Sequence, residues 1–227
     1  NPKVYEFGIR FGEQTDSLDC EGTLVARGGR IPTESEFFAA LPSFLGAQRQ
    51  TVPRFSALKI DGVRAYKLAR SDVDFEPKER TFTIYDLKVT AFDPAASEAS
   101  LRVVSSTGMY VRALARDIAQ ALGTFGYASF VHRLSIGPFS LDTAVALDSL
   151  TADVVPLSIS QVFSGHPGRV VLSASQQSDI VRGRDISIDT SWTGTVVACD
   201  GNGEILAIME PCPHGTQHHP VRVLAAA

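Results

Sequence analysis

Residues 100–123 leave the chain few alternatives. Ser100 to Ser106 alternates, with Leu101 and Val103 on one face, and reads as a strand. Gly108 follows, and its missing Cβ permits a tight turn at positive φ. From Tyr110 to Leu122 the apolar residues Val111, Leu114, Ala115, Ile118 and Leu122 recur at helical spacing, and Gly123 supplies a stop. Arg112 and Arg116 lie off this stripe. Arg112 falls in the first turn, where the helix dipole favours anions. From the helix alone a surface arginine is the plainer reading. The other is a planar guanidinium held against a carboxylate or phosphate.

Length sets the next bound. A chain of 227 residues, 44% hydrophobic and 20% charged, fits one large domain or two unequal ones with a sizeable core. No apolar run reaches membrane-spanning length and no secretory leader opens the sequence, so a cytoplasmic protein is expected. Cys20, Cys199 and Cys212 are odd in number and widely spaced, which predicts neither a disulfide framework nor a metal pair. The net charge of −4 argues mildly against a nucleic-acid binder, but its distribution counts for more. Between Arg49 and Arg70 stand six basic residues and one acid, Asp61, whereas from Thr151 onward four arginines face seven acids. The middle of the chain can face an anion or can be a solvated basic surface.

Further elements follow from local pattern. Lys3 to Phe11 alternates as a strand. Gln14 to Gly22 is acidic and turn-rich. Thr33 and Glu36 form a capping box, and Pro42 should shorten the helix it starts. Asp61-Gly62 marks a turn between two short runs, with a short helix from Tyr66 to Arg70. Arg80 to Phe92 reads as a long strand whose alternation shifts phase near Asp86, the sign of a bulge. Ser97 to Ser106 should pair with it. Phe130 to Ile136 predicts another strand, and Thr143 to Leu150 a short helix. Composition changes near Asp153 to Pro156. Short β-like runs then alternate with turns (Arg169 to Leu172, Gly194 to Cys199, Ile205 to Met209, Val221 to Leu224), and Asp200-Gly201-Asn202-Gly203 is a hairpin signal. His214, His218, His219 and Cys212 lack regular zinc spacing and read as a solvated loop.

Several ordered pieces together resemble the bacterial TruB-type tRNA pseudouridine-55 synthases. They are Lys3-Val4-Tyr5, the Gly12 to Gly22 stretch, Val52 to Gly62 with its Pro53-Arg54-Phe55-Ser56-Ala57-Leu58-Lys59 core, Ala65 to Arg70, Arg80 to Leu87, Ser106 to Arg112, and His132-Arg133-Leu134. The resemblance implies an α+β fold: a mixed central sheet with packed helices over residues 1–153, N-terminally incomplete, then a small β-rich PUA-like domain over 154–227. It implies an isomerase of the T-loop uridine that flips the base into a pocket. It further implies no metal or organic cofactor, tRNA (T-arm) as partner, and a monomer.

The resemblance also assigns residues. Arg112 matches the arginine that pairs with the catalytic aspartate, and Tyr5 the tyrosine that stacks on the target base and assists proton removal. Tyr110 matches a second pocket tyrosine, and Leu134 a leucine of the pocket floor. Arg133, Lys59, Lys67, Arg54 and Arg64 are placed along the RNA backbone. Each of these also has an ordinary packing or surface reading. The family's Gly-x-Leu-Asp-Pro motif, expected before the Tyr5 strand, does not occur in these 227 residues; Leu18-Asp19 and Leu141-Asp142 share only its Leu-Asp pair. The chain as printed is therefore expected to be inert and to derive from a longer enzyme. The alternatives are a non-catalytic tRNA-binding or tRNA-folding protein and a protein-interaction domain. Glu21 stands where the family usually has aspartate, and the acidic turn around Asp19 is read as structural or RNA-positioning.

Overall fold

Alternation from Lys3 is realised as β1 (Lys3–Phe11), which buries Phe7, Ile9 and Phe11. The computed structural model describes residues 2–71, 73–76, 78–213 and 216–224. Next comes a small hairpin of β2 (Glu13–Thr15) and β3 (Leu24–Arg27). α1 (Glu34–Ala40) starts at the Thr33–Glu36 capping box. Pro42 ends it, and Leu41–Phe44 continues as a single 3-10 turn. β4 (Gly46–Thr51) follows. β5 (Lys59–Ile60) and β6 (Val63–Arg64) flank Asp61 and Gly62, both at positive φ as a type I′ turn requires. α2 (Ala65–Arg70) leads on to the long strand β7 (Glu79–Asp93). β7 pairs with β8 (Glu98–Ser105) and slips register between Ile84 and Asp86, where the alternation changes phase, and again between Val89 and Ala91. Gly108 turns at φ 99° into α3 (Val111–Ala121), then come β9 (Gly126–Ile136) and β10 (Phe139–Ser140).

These strands build a six-stranded sheet in the order β10-β9-β1-β8-β7-β4. Its pairings are antiparallel throughout. The parallel pairings of a mixed architecture occur at the Asp19–Ala128 bridge and between Arg169–Val171 and Val196–Cys199. α3 buries Val111, Leu114, Ala115, Ile118 and Ala119 in one core with Phe7, Ile9, Leu101 and Val103. Leu114 and Ile118 are at most 1% exposed, and each such side chain contributes roughly 1.5–3 kcal/mol by leaving water.

The chain divides into two units, Asn1–Val145 and Ala146–Ala227. The helix expected over 143–150 does not form. Leu141–Thr143 and Leu147–Ser149 are separate 3-10 turns. Leu147 and Leu150 are exposed, so no apolar stripe exists there to hold a helix. The second unit holds α4 (Ile159–Val162), β11 (Arg169–Val171), α5 (Ala174–Val181), β12 (Ile186–Ser187), β13 (Val196–Cys199), β14 (Ile205–Pro211) and β15 (Gln217–Val223). Its sheet runs β11-β13-β14-β15-β12, around a core of Ile180, Val196, Ala198, Ala207 and Met209. The expected solvated histidine loop is partly strand: His218 is buried in β15 opposite Ile186, and its neighbour His219 is exposed. His214 lies outside the described residues. No helix among the described residues is long and apolar enough to cross a membrane.

Candidate active site

The arginine singled out from the helix pattern has three protein acceptors. Arg112 sits at the second position of α3, with no acidic residue in that first turn. Its Nη1 donates to Asp19 Oδ2 at 2.6 Å and to the Ser17 carbonyl at 2.9 Å, and its Nη2 to the Phe55 carbonyl at 2.8 Å. The Arg112 side chain is 28% exposed and the Asp19 side chain 25%. Among the described residues, Nε and the second Nη2 hydrogen have no protein acceptor. A guanidinium carries five donors, so this fork retains capacity for another anion.

Asp19 is aimed by a strained loop. Leu18 sits at φ 63°, with its side chain buried. The Leu18 carbonyl accepts from Ala128 N on β9 at 3.0 Å, which anchors the loop to the sheet. Thr15 Oγ1 donates to the Asp19 carbonyl, and Asp16 pairs with Thr23 through backbone and carboxylate. Gly22 is required by proximity: a Cβ there would lie 2.1 Å from Ser17 Oγ and 2.9 Å from Ser17 N. Burial opposes ionisation of Asp19. The Ser17 hydroxyl at 2.5 Å, the Arg112 charge and hydrogen bond, and the Glu21 amide together outweigh it and hold the carboxyl below its ordinary value of 3.8. The ion pair therefore persists across neutral pH.

The pair faces a cavity of about 450 Å³ whose walls include Phe55, Ser56, Tyr66, Arg70 and Tyr110. A cavity of that size suits a small planar ligand, with aromatic walls for stacking and a cation for charge. Arg70 lies over the Tyr66 ring at 5.6 Å. A second cavity of about 250 Å³ meets the same Asp19–Arg112 pair and is walled by Cys20, Ala128 and Phe130.

The residues assigned from sequence divide accordingly. Tyr110 and Arg112 share the larger cavity, whereas Tyr5, Leu134, Arg133, Lys59, Lys67, Arg54 and Arg64 do not line it. Tyr5 packs against the core and pairs in register with Arg133. Leu134 is half-buried on β9 and Arg133 exposed. Arg54 is engaged within the protein, by the Asp74 carboxylate at 3.3 Å, the Val73 carbonyl and the Phe75 ring. Arg64 donates to the Ala57 carbonyl at 2.9 Å. Arg49 pairs with Glu79. The six-to-one basic excess is thus reduced by acids outside the segment, and Lys59 and Lys67 remain exposed without an ion pair among the described residues.

Read from sequence, the turn around Asp19 is structural or RNA-positioning, and its pairing with Arg112 escapes notice because 93 residues separate the two. The usable signal was the cation in an unfavourable helical turn, which pointed to a carboxylate or phosphate opposite it. Elsewhere, Asp185 joins His219 Nδ1 at 2.6 Å and Cys212 Sγ at 3.6 Å on the surface of the second unit. Among the described residues no group of three or more His, Cys, Asp or Glu side chains is arranged to hold a metal ion.

Comparison with known proteins places these features in context. Residues 1–111 match the domain described as TruB family pseudouridylate synthase (N terminal domain). A "tRNA pseudouridine synthase B" of Caulobacter vibrioides is 44% identical over 148 residues, covering 65% of this chain and 47% of that protein. Another, of Borrelia garinii, is 32% identical over 209 residues, covering 92% of this chain and 73% of that one. The chain thus spans less than half the length of the Caulobacter relative. Among solved structures, a Cbf5-Nop10-Gar1 complex aligns with a TM-score of 0.68 at 18% identity, over 99% of this chain and 66% of that one, a likeness of fold.

Proposed function

Since this chain belongs to the TruB family of pseudouridylate synthases, we propose that it is the part of a tRNA pseudouridine synthase that holds the base-binding cleft and the arginine of the catalytic ion pair. The observation that carries this reading is Arg112, fixed by Asp19 and two carbonyls at the wall of an aromatic cavity, with donors to spare.

The reaction is an isomerisation of the T-loop uridine. The C1′–N1 bond breaks, the base turns within the pocket, and a C1′–C5 bond forms. C5 loses its proton and N1 gains one, so nothing is consumed. The flipped base leaves the stack for an enclosed site. Tyr110 borders the base. Tyr5, as the stacking face and the group that assists removal of the C5 proton, and Leu134, as the pocket floor, take these roles from the family resemblance, since neither lines the cavity. Arg112 orients the attacking carboxylate, which belongs to a Gly-x-Leu-Asp-Pro segment, and keeps it ionised through its remaining donors. Asp19 fixes the guanidinium from the other side. Lys59, Lys67 and Arg133 contact phosphates, which position the RNA without reading its sequence. Arg54 and Arg64 have protein partners and act on RNA only by exchanging them. The enzyme works as a cytoplasmic monomer on the T-arm.

The test is tritium release from C5-labelled tRNA by the full-length gene product. Turnover is expected in wild type. Arg112→Lys, which keeps the charge but loses the planar fork, is expected to bind tRNA and lose most of its single-turnover rate. Binding without turnover in wild type would replace this reading with a tRNA-folding role. Absence of binding would leave a protein-interaction domain.

A further inference from the structure

Gln50 is a buried polar side chain among polar neighbours. It lies on β4, an edge strand, and is 3% exposed. Both ends of its amide are used. Oε1 accepts from the backbone N–H of Tyr110 at 3.0 Å, and Nε2 donates to Asp117 Oδ2 at 3.2 Å. Tyr110 is the N-cap residue of α3 and offers no side-chain cap of its own. Asp117 lies further along the same helix, where its other oxygen accepts from Arg116 Nε at 2.8 Å. Arg116 in turn reaches the carbonyl of Thr51, the residue after Gln50. One amide therefore grips α3 at its start and again further along, and fixes its distance from β4.

The same pair of segments forms two walls of the cleft. A few residues beyond Gln50, the chain presents the Phe55 carbonyl to Arg112 and lines the cavity with Phe55, Ser56 and Ala57. Across it stand Tyr110 and Arg112 from the helix that Gln50 holds. We propose that Gln50 is a positioning residue for the reaction: its amide sets the seat of α3 against the 50–57 segment, and so fixes where the Arg112 guanidinium and Tyr110 meet the substrate. This rests on the function proposed above. The requirement is specific to an amide. Leucine fills the space but makes neither bond. Glutamate keeps the acceptor for Tyr110 N–H but sets a second carboxylate against Asp117, a repulsion that Asp117→Asn would convert back into a hydrogen bond.

The experiment uses the full-length gene product and three variants: Gln50→Leu, Gln50→Glu, and Gln50→Glu with Asp117→Asn. Single-turnover tritium release, tRNA affinity and amide hydrogen exchange at Tyr110 are measured on each. Gln50→Leu is expected to lower the rate constant by about ten- to a hundredfold, as a small misplacement of a reacting group does, while Tyr110 N–H exchanges faster and tRNA affinity stays within about threefold. Gln50→Glu should behave alike, and adding Asp117→Asn should recover most of the rate. A purely structural role would lower the fraction of active enzyme, and so raise the enzyme concentration needed for saturation, and leave the saturating rate constant alone. That result would overturn the inference, as would a double variant no faster than Gln50→Glu, which decides the matter even if Gln50→Leu does not fold. A wild-type protein without turnover would overturn the reaction reading together with this inference. Wild-type turnover with an indifferent Gln50→Leu would overturn this inference alone.

Discussion

Asp19→Asn keeps the shape of the side chain and a neutral acceptor but removes the charge opposite Arg112. A hydrogen bond to a charged group is worth roughly 1.5–3 kcal/mol. Both partners are about a quarter exposed, so solvent screening places this one at the lower end, about 1.5 kcal/mol. If that energy holds the guanidinium in its reactive orientation, the single-turnover rate should fall about tenfold. Arg112 would keep the Ser17 and Phe55 carbonyls, so the site would loosen and not collapse. The pH dependence follows from the direction of the shift. The Asp19 carboxyl is held below 3.8 in the folded protein, so its stabilising contribution is complete above the unfolded value and disappears as pH falls through the folded one. Between about pH 5 and pH 8 the ratio of variant to wild-type rate should therefore be constant. In acid, the stability difference between the two proteins should close. Single-turnover tritium release with saturating enzyme, alongside urea denaturation at stepped pH, measures both. A variant with the wild-type rate constant, or one whose loss lies wholly in tRNA affinity, would refute the orienting role of Asp19.

Neutralising Lys59 and Lys67 together should weaken tRNA binding and flatten its salt dependence by roughly 0.7–0.9 per lost contact. Neutralising Arg182 and Arg184 should do neither to that extent, since Arg184 already pairs with Asp179 at 3.0 Å; salt titrations of the two double variants compare them, and a steeper loss in the second would move the RNA face to the C-terminal unit. Gly22→Ala should destabilise the protein by roughly 1–3 kcal/mol, as overpacking does, because its Cβ would collide with Ser17. Its rate penalty should not add to that of Asp19→Asn, since both act through one carboxylate; additive penalties in a double-variant cycle would show that the loop serves something else.

The legibility of the fold followed how local each cause was. The Thr33–Glu36 box, the Asp61-Gly62 turn, the β7 bulge and the α3 stripe are each specified within a few residues, and each is realised. β4 escaped notice because Gly-Ala-Gln-Arg-Gln-Thr has no apolar alternation, and the one residue it buries is polar. α4 and α5 were announced by Ser158–Gln161 and Ser173–Gln176 capping boxes that the turn-rich composition obscured. In the site, Arg112 stood out because a cation opposed its own helix dipole. Its partner depends on Leu18 adopting a left-handed backbone and on the loop's bridge to β9 at Ala128, which no local pattern encodes. The basic segment was legible as a count, yet which of its cations remain free depends on acids at Asp74 and Glu79.

The three acceptors of Arg112 have a consequence for the order in which the protein acquires its site. They come from two stretches of chain, 93–95 and 57 residues away from the arginine. Contacts of such sequence separation form late, because the intervening loops must close first. A folding intermediate with α3 docked on the sheet but either stretch loose leaves a partly buried guanidinium short of acceptors, which is costly. Each stretch therefore gains from the other's arrival, and the cleft assembles together or stays unmade. Local opening of the 15–23 loop would take both Asp19 and the Ser17 carbonyl from the arginine and leave it the Phe55 carbonyl alone, so the two stretches act as one seat for the guanidinium.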